Sequence, residues 1–341
     1  MTTDPSGPSV VAVTGAAGFV GCTIAELLAS QGVTVLGLDR LGIPESVRQG
    51  LGSKARHVVH EPIDVVDEDA VAAAFEKWAP DRVFHCATVT AGPDRDARAP
   101  ASVLRVNVEG TAAVLQACAR AGVRRLVYAS SSAAYGASVF APGPLTEDGV
   151  CSDPRSLYEV TKFAAERTAL RLGDLHGLDV RIGRLSTVFG PWERPTGVRD
   201  TLSPMFQIML AACAGEPALL ARPGVRDWIY SRDVASGLVA LSGALPSAPR
   251  VFNVGPGAGA AYSALEWGQR LAAHFPGFVC RLADDTETPT IDLHQPADRA
   301  LLDTSRIVKH TGFTCAYDLD RSVSDFVSWW QGQPAGWKDI K

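Results

Sequence analysis

The sequence has no apolar stretch long enough to cross a bilayer as a helix. It also has little excess charge: 32 Lys and Arg stand against 37 Asp and Glu, a formal net charge of -5. A balance so near neutrality gives no general attraction for nucleic acid or an anionic membrane. Paired Cys-x-x-Cys spacing is absent, and the 7 cysteines are odd in number and scattered. They read as free thiols of a cytoplasmic protein, not as a disulfide framework. His, Asp and Glu show no metal-ligand spacing, so no metal is expected. Internal repeats and low-complexity tracts are lacking too. Residues 1–8 lack the basic start and apolar run of a signal peptide and are expected to form a short disordered lead-in. What remains is an ordinary globular composition, 46% hydrophobic and 20% charged over 341 residues. That is enough for a large core, in one domain or a domain with an appendage.

The chain is organised around Val11-Ala12-Val13-Thr14-Gly15-Ala16-Ala17-Gly18-Phe19-Val20-Gly21. An apolar strand runs into a glycine turn, and a helix follows through Cys22 to Ser30. Glycines remove side chains where backbone must approach a ligand and where helix packs on strand. The helix start then offers N–H groups and a positive dipole end, a ready site for a pyrophosphate at Gly15, Gly18, Phe19 and Val20. The second apolar strand, Val33–Asp39, ends in a carboxylate 18 residues beyond Gly21 (39 − 21). That is where a dinucleotide fold places an acid against the adenosine ribose, so Asp39 favours NAD over NADP, with Arg40 beside it as a competing signal.

Strand and helix keep alternating through the first half, as in right-handed crossover units. A third strand begins at Val58 and ends at Asp64-Val65, which suit the adenine. A helix over Asp67–Trp78, a fourth strand over Arg82–Ala87, a long helix over about Pro100–Ala121 carrying Asn107, and a fifth strand over Leu126–Ser132 follow. Ala87 and Asn107 are assigned to the cofactor. Later, a helix over about Ser156–Leu172, a sixth strand over Val180–Leu185, a helix over Pro204–Ala214, strands at Arg250–Val254 and Phe278–Leu282 and helices at Leu265–His274 and Asp320–Gln331 are expected. The predicted fold is α/β: a Rossmann-type doubly wound parallel sheet with a smaller C-terminal substrate-binding lobe. The NAD-binding domain should span 9–180, with parts of 181–260 returning to it, and the lobe mostly 186–335.

Tyr158 and Lys162 lie four apart at the start of the helix after the fifth strand, on one helix face. A free phenol titrates near ~10 and is a poor base at neutral pH, but a neighbouring ammonium stabilises its phenolate. Ser131, at the fifth strand's end, would hold a substrate oxygen beside that phenol, with Ser132 as the fallback. Isolated Tyr-x-x-x-Lys pairs are common. Their order behind a glycine turn and a serine-rich strand end is what gives this one meaning.

Together, Thr14-Gly15-x-x-Gly18-x-x-Gly21, Asp39, Asp64-Val65, Asn107, Ser131 and Tyr158-x-x-x-Lys162 resemble the extended short-chain dehydrogenase/reductases, and more narrowly their NAD-dependent epimerase/dehydratase group. Val225–Ala235 is similar to that group's second-lobe motif, and Asp303–Arg306 with Thr311-Gly312-Phe313 to its C-terminal one. The likeness runs from about Val10 to Trp330. It implies a Rossmann NAD domain, catalytic Ser131, Tyr158 and Lys162, and a homodimer through helices at about 100–121 and 156–172.

The departures bear on the substrate. Family 4,6-dehydratases carry an Asp-Glu pair after the catalytic hydroxyl; here Ser132 and Ala133 stand there, against that type of elimination. Nucleotide-sugar enzymes of the group usually place Asn three residues after the sixth-strand arginine, where this chain has Thr187 after Arg184. The loop over 216–226 is short by about two residues. Arg194, Arg199, Arg222 and Arg226 fall in the segment expected to close on the substrate, and guanidinium forks suit carboxylates and phosphates. Thr88, Ser132, Thr187, Arg194, Arg199 and Arg226 are therefore assigned to the substrate. Trp192 and Trp228 are expected to pack, and His85 to be a structural histidine. The sequence thus predicts NAD-dependent oxidation of a secondary hydroxyl on a small, acidic, sugar-like substrate. The alternative is a UDP-sugar-type 4-epimerase with transient NAD reduction. A non-catalytic NAD(P)-sensing scaffold fits less well, because Tyr158 and Lys162 are both present. No nucleic acid or membrane partner is expected.

Overall fold

The computed structural model describes residues 9–295, 297–334 and 337; the lead-in over 1–8 and the proposed lobe limit at 335 lie outside them. Strands β1 (Val10–Thr14), β2 (Thr34–Leu38), β3 (Val58–Glu61), β4 (Arg82–His85), β5 (Arg125–Ser131) and β6 (Asp179–Leu185) form a parallel sheet with a seventh strand, Val251–Val254. The strand order is Val251–Val254, β6, β5, β4, β1, β2, β3. Parallel strands must be covered on both faces, and their sequences show it. In β1, Ala12 belongs to the hydrophobic cluster on one face, whereas Val11 and Val13 belong to the cluster on the other. The strand order reverses between β1 and β4, and ligands of such sheets bind outside the strand ends at that switch point.

The first cluster is closed by the helices Glu68–Trp78, Gly110–Arg120 and Leu157–His176 through residues such as Phe75, Leu115 and Ala165. The second runs from Phe19 and Ile24 on the Phe19–Ser30 helix straight into the C-terminal lobe at Trp192, Trp228, Trp267 and Trp330. Trp192 and Trp228 are therefore core residues. The helix Ser231–Ser242 returns to the sheet and packs on Phe19–Ser30, so the lobe is threaded back through the Rossmann body. Its own strands are short: Ala218–Leu220 beside Cys280–Leu282, and Val225–Arg226 antiparallel to Tyr262–Ser263.

Several boundaries differ from the sequence expectation for local reasons. The expected helix over 100–121 is Pro100–Leu104 and Gly110–Arg120 joined by a π-helical turn, Arg105–Glu109. A π turn inserts an extra residue into the helical ladder and commonly marks a functional region; here it carries Asn107. Asp64 and Val65 lie beyond β3 instead of at its last residues. The helix expected to stop near Leu172 continues to His176, where Gly177 takes a left-handed conformation, φ 66. Its start is fixed by a capping box: Glu159 N–H donates to Ser156 Oγ (3.3 Å) and Ser156 N–H to Glu159 Oε2 (3.0 Å). No helix among the described residues is long and apolar enough to cross a membrane.

Candidate active site

The carboxyl ends of the strands open into a cleft of about 890 Å³. Its floor is the glycine turn. Gly15 has φ +67, and a Cβ there would lie 2.8 Å from the Ala87 backbone. A Cβ on Gly21 would lie 2.1 Å from the Gly15 carbonyl oxygen, so the helix can pack this closely only without a side chain. Gly18 caps the Phe19–Ser30 helix; no side chain occupies that cap and no acid stands in the first turn. The helix end thus stays available to an anion. Asp39 Oδ2 accepts from Ala17 N–H at 3.1 Å, which aims the carboxylate along the cleft edge. Arg40, Asp64, Val65 and Ala87 line the same cleft. A cradle without Cβ atoms, an uncapped helix end and a carboxylate at the ribose position together fit NAD.

Asn107, expected at the cofactor, does not line the cleft, and its amide is bonded throughout to protein groups. Oδ1 accepts from Val89 N–H (2.7 Å) and Thr88 Oγ1 (3.1 Å), while Nδ2 donates to Val89 O (3.0 Å) and Thr161 Oγ1 (3.0 Å). It is a strut between the loop after β4 and the helix that carries Tyr158. Thr88 shares this bond and also lines the cleft.

At the end of β5 successive side chains alternate. Both Ser130 and Ser131 line the cleft, but the Ser130 hydroxyl donates to Glu166 at 2.5 Å, whereas that of Ser131 accepts from Ala133 N–H at 3.1 Å. Ser132 lies beside it. Tyr158 faces the same space. Lys162, 2% exposed, donates from Nζ to Ala129 O at 2.9 Å and lies 5.0 and 5.9 Å from the ring centres of Tyr128 and Tyr158. Burial opposes its charge, but the facing phenols of Tyr128 and Tyr158 outweigh it and hold its pKa above the ordinary lysine value. His85 is buried, with its ring nitrogens at 2.7 Å from Thr14 Oγ1 and 3.0 Å from Thr111 Oγ1. Burial, then Lys162, pushes its pKa down to about 3, so it is a neutral structural residue.

The other end of the cleft is cationic and incompletely paired. Arg226 is 3% exposed; its Nη2 donates to Leu293 O at 3.2 Å, and its buried Nε has no partner. Burial, then Arg299 and Arg222, lowers its pKa to about 9. Arg299 also has a buried, unpartnered Nε, and burial lowers its pKa as well. Sequence reasoning missed Arg299: its place four residues ahead of Asp303–Arg306 is the only cue, and no local pattern marks it. Thr187 lines this region, whereas Arg222 is taken up by Asp298 and by Gln295 O.

Arg194 and Arg199, expected at the substrate, both line the cleft; Arg194 donates to Ala17 O in the glycine turn and Arg199 lies 5.2 Å from the centre of the Phe19 ring. The loop that carries them runs back over the cofactor end.

A Rossmann sheet, a glycine turn facing an acid, and a Ser, Tyr and Lys meeting in one cleft define an NAD-dependent enzyme of the extended short-chain dehydrogenase/reductase type. The chain belongs to the NAD dependent epimerase/dehydratase family, whose family model matches residues 11–255. It is 31% identical to a UDP-glucuronate 4-epimerase of Thermodesulfobacterium geofontis (strain OPF15), over 72% of this chain and 74% of that protein. It is 30% identical to a dTDP-glucose 4,6-dehydratase of Streptomyces griseus, over 96% of each chain. Among solved structures, MoeE5 in complex with UDP-glucuronic acid and NAD superposes with a TM-score of 0.73 at 27% identity, covering 95% of this chain and 99% of that one.

Proposed function

We propose that the protein oxidises a secondary hydroxyl of a sugar-like, anionic substrate. Tyr158 takes the hydroxyl proton, Lys162 stabilises the resulting phenolate, and Ser131 orients the substrate oxygen. The observation that carries this reading is the buried Lys162, one turn below Tyr158 on a capped helix, with Tyr158, Lys162 and Ser131 lining one cleft. Bound NAD supplies the two-electron acceptor. Arg226 and Arg299 receive the anionic group of the substrate, since their unpartnered N–H groups need an acceptor. Ser132 and Ala133 supply no acid/base pair for dehydration.

The second reading is a nucleotide-sugar 4-epimerase, in which the oxidised sugar turns over and is reduced on its other face. Two converging arginines also suit a diphosphate, and relatives named as UDP-sugar epimerases favour it. Net product separates the two. Purified protein is denatured and its released NAD(H) measured, while sugar acids and nucleotide sugars are screened for absorbance at the NADH band. An acidic sugar that reduces added NAD stoichiometrically supports the dehydrogenase; retained NAD with no net NADH from any substrate overturns it in favour of the epimerase. A homodimer is also proposed. Leu104 and Val160, on the two expected helices, are 44% and 38% exposed, and light scattering on the purified protein tests it.

A further inference from the structure

Between Val188–Phe189 and the helix Pro204–Ala214 the chain makes an excursion whose course is set at both ends. Trp192 is fully buried with φ 73, a left-handed conformation that a bulky residue adopts only when its surroundings force it. Its Nε1 donates to Glu26 Oε2 at 2.8 Å, and Trp329 and Trp337 pack edge-on against its ring. Glu193, 0% exposed, accepts from Ser203 N–H (2.7 Å) and Ser203 Oγ (2.6 Å). These two bonds close residues 193–203 into a loop with a buckled base.

The loop body is tied to both lips of the cofactor cleft. On one side Arg194 donates to Ala17 O in the glycine turn, with the Cys22 thiol and the Trp337 ring as its other neighbours. On the other side Thr90 N–H donates to Val198 O (2.8 Å) and Asp200 N–H to Thr90 O (3.1 Å). A clasp completes that second tie. Asp200 accepts from Arg95 through both oxygens (2.8 and 2.5 Å) and from Gly92 N–H (3.0 Å), and Arg95 also donates to Gly197 O (2.8 Å). Arg95 and Asp200 are each 26% exposed, and Arg95 pulls the Asp200 carboxyl below its usual range.

The two lips belong to β1 and β4, the neighbours at which the strand order reverses. A dinucleotide crosses a doubly wound sheet with its pyrophosphate at that point, over the end of the first helix. A segment tied from Ala17 to Thr90 therefore spans the pyrophosphate position. Its chemistry matches: Arg199 stacks over Phe19, the first residue of that helix, and lines the cleft. Of its five N–H donors, Nε is used by Thr201 O (2.7 Å) and one on Nη2 by Glu193 (3.1 Å). The nearby acids do not oppose an anion, because Glu193 is held by Ser203 and Arg199 and Asp200 by Arg95.

We infer that residues 193–203 form a strap that is the second wall of the cofactor site, with Arg199 as counter-charge to the pyrophosphate. Entry and release of NAD require the Arg95–Asp200 clasp to open, so the clasp sets the rate at which NAD exchanges. The inference rests on NAD dependence and not on the substrate or the proton-transfer roles proposed above, so its failure and theirs are distinguishable. It is tested on full-length protein loaded with radiolabelled NAD and chased with unlabelled NAD. Asp200→Asn and Arg95→Met lie on the surface and are expected to leave the melting temperature nearly unchanged while speeding NAD release about tenfold. Arg199→Met is expected to weaken NAD binding by a similar factor, with Arg199→Lys intermediate because it keeps charge without the fork. Release within twofold of wild type in both clasp variants overturns the inference. So does a rise in substrate KM in these variants with NAD release unchanged, which would return the strap to the substrate.

Discussion

Arg226 is a buried cation whose neighbours offer it little. One carbonyl accepts from it, Trp228 packs at 5.2 Å, and Arg222 and Arg299 repel it. A guanidinium ordinarily titrates at 12.5; here the pKa falls to about 9. At about 1.4 kcal/mol per pH unit, holding that charge against burial and the neighbouring arginines costs on the order of 5 kcal/mol. Replacing a buried ion by an apolar residue of similar volume typically recovers about 1–4 kcal/mol. Arg226→Met keeps the packing on Trp228 through a thioether–aromatic contact, so the ligand-free variant is expected to melt higher. For a chain of this size each kcal/mol is worth about 2 °C. The pH dependence has a definite sign. Below about 9 the arginine is charged in both folded and unfolded states, and the penalty is fully present. Between about 9 and 12.5 the unfolded chain binds the extra proton, so wild-type stability rises with pH. The advantage of Arg226→Met should therefore be largest at pH 7 and shrink by pH 10, and anionic ligands should raise the melting temperature of wild type far more than that of the variant. Scanning calorimetry at both pH values, with Arg226→Lys as the charged control, checks this. A variant that melts below wild type at pH 7, or a gap that does not change with pH, refutes the reasoning.

Tyr158→Phe should lower kcat by about 10²–10⁴ while leaving NAD affinity, measured by equilibrium dialysis, within about threefold of wild type. Asp39→Asn should retain the bond from Ala17 N–H but lose the repulsion of a 2′-phosphate, so the ratio of kcat/KM for NAD over NADP should fall. Glu166→Gln should destabilise the fold by about 3–5 kcal/mol, because buried Arg184, now bonded to Glu166 at 2.7–3.2 Å, would be left without its carboxylate. Denaturant titration measures that loss.

What was legible in the sequence was locally encoded. The glycines at 15, 18 and 21 meet backbone within their own turn and at the adjoining strand end, and Tyr158 and Lys162 share a helix whose capping box is written in Ser156 and Glu159. The apolar runs of β1, β2 and β5 likewise carry their burial in their own residues. The bonds of Asn107 to Val89 and Thr161 were not legible, because they are made from a π turn that no spacing announces. The contacts of Arg194 and Arg199 with the glycine turn and Phe19 were not legible, because the course of their segment turns on Trp192, whose left-handed backbone follows from tertiary packing and not from any turn residue. Arg299 was missed for the complementary reason: its neighbours are distant in sequence, and its local segment has no periodicity.

The two ends of the cleft differ in how completely their polar groups are satisfied, and that difference has a functional meaning. At the Tyr158 end, Lys162, His85, Asn107 and Ser130 have all found partners, and Glu166 with Arg184 braces the helix against β5 and β6. A proton-transfer group benefits from such preorganisation, because misplacement by even an ångström costs rate. At the other end Arg226 and Arg299 each keep a buried donor without an acceptor. Such a group carries its full desolvation penalty until something anionic arrives, so a matching ligand gains from relief of that penalty as well as from new bonds. An uncharged sugar can accept from both donors through its oxygens but offers no opposite charge, so it relieves less of that penalty than an anion does. The proposed function therefore puts substrate choice in the arginines and the chemistry in the braced helix. Exchanging Arg226 should change which anion is taken without moving the pH profile of turnover, whereas Arg299 lies within electrostatic reach of Tyr158 and its exchange should move both. A shift in that profile in Arg226 variants would show that this division of labour is wrong.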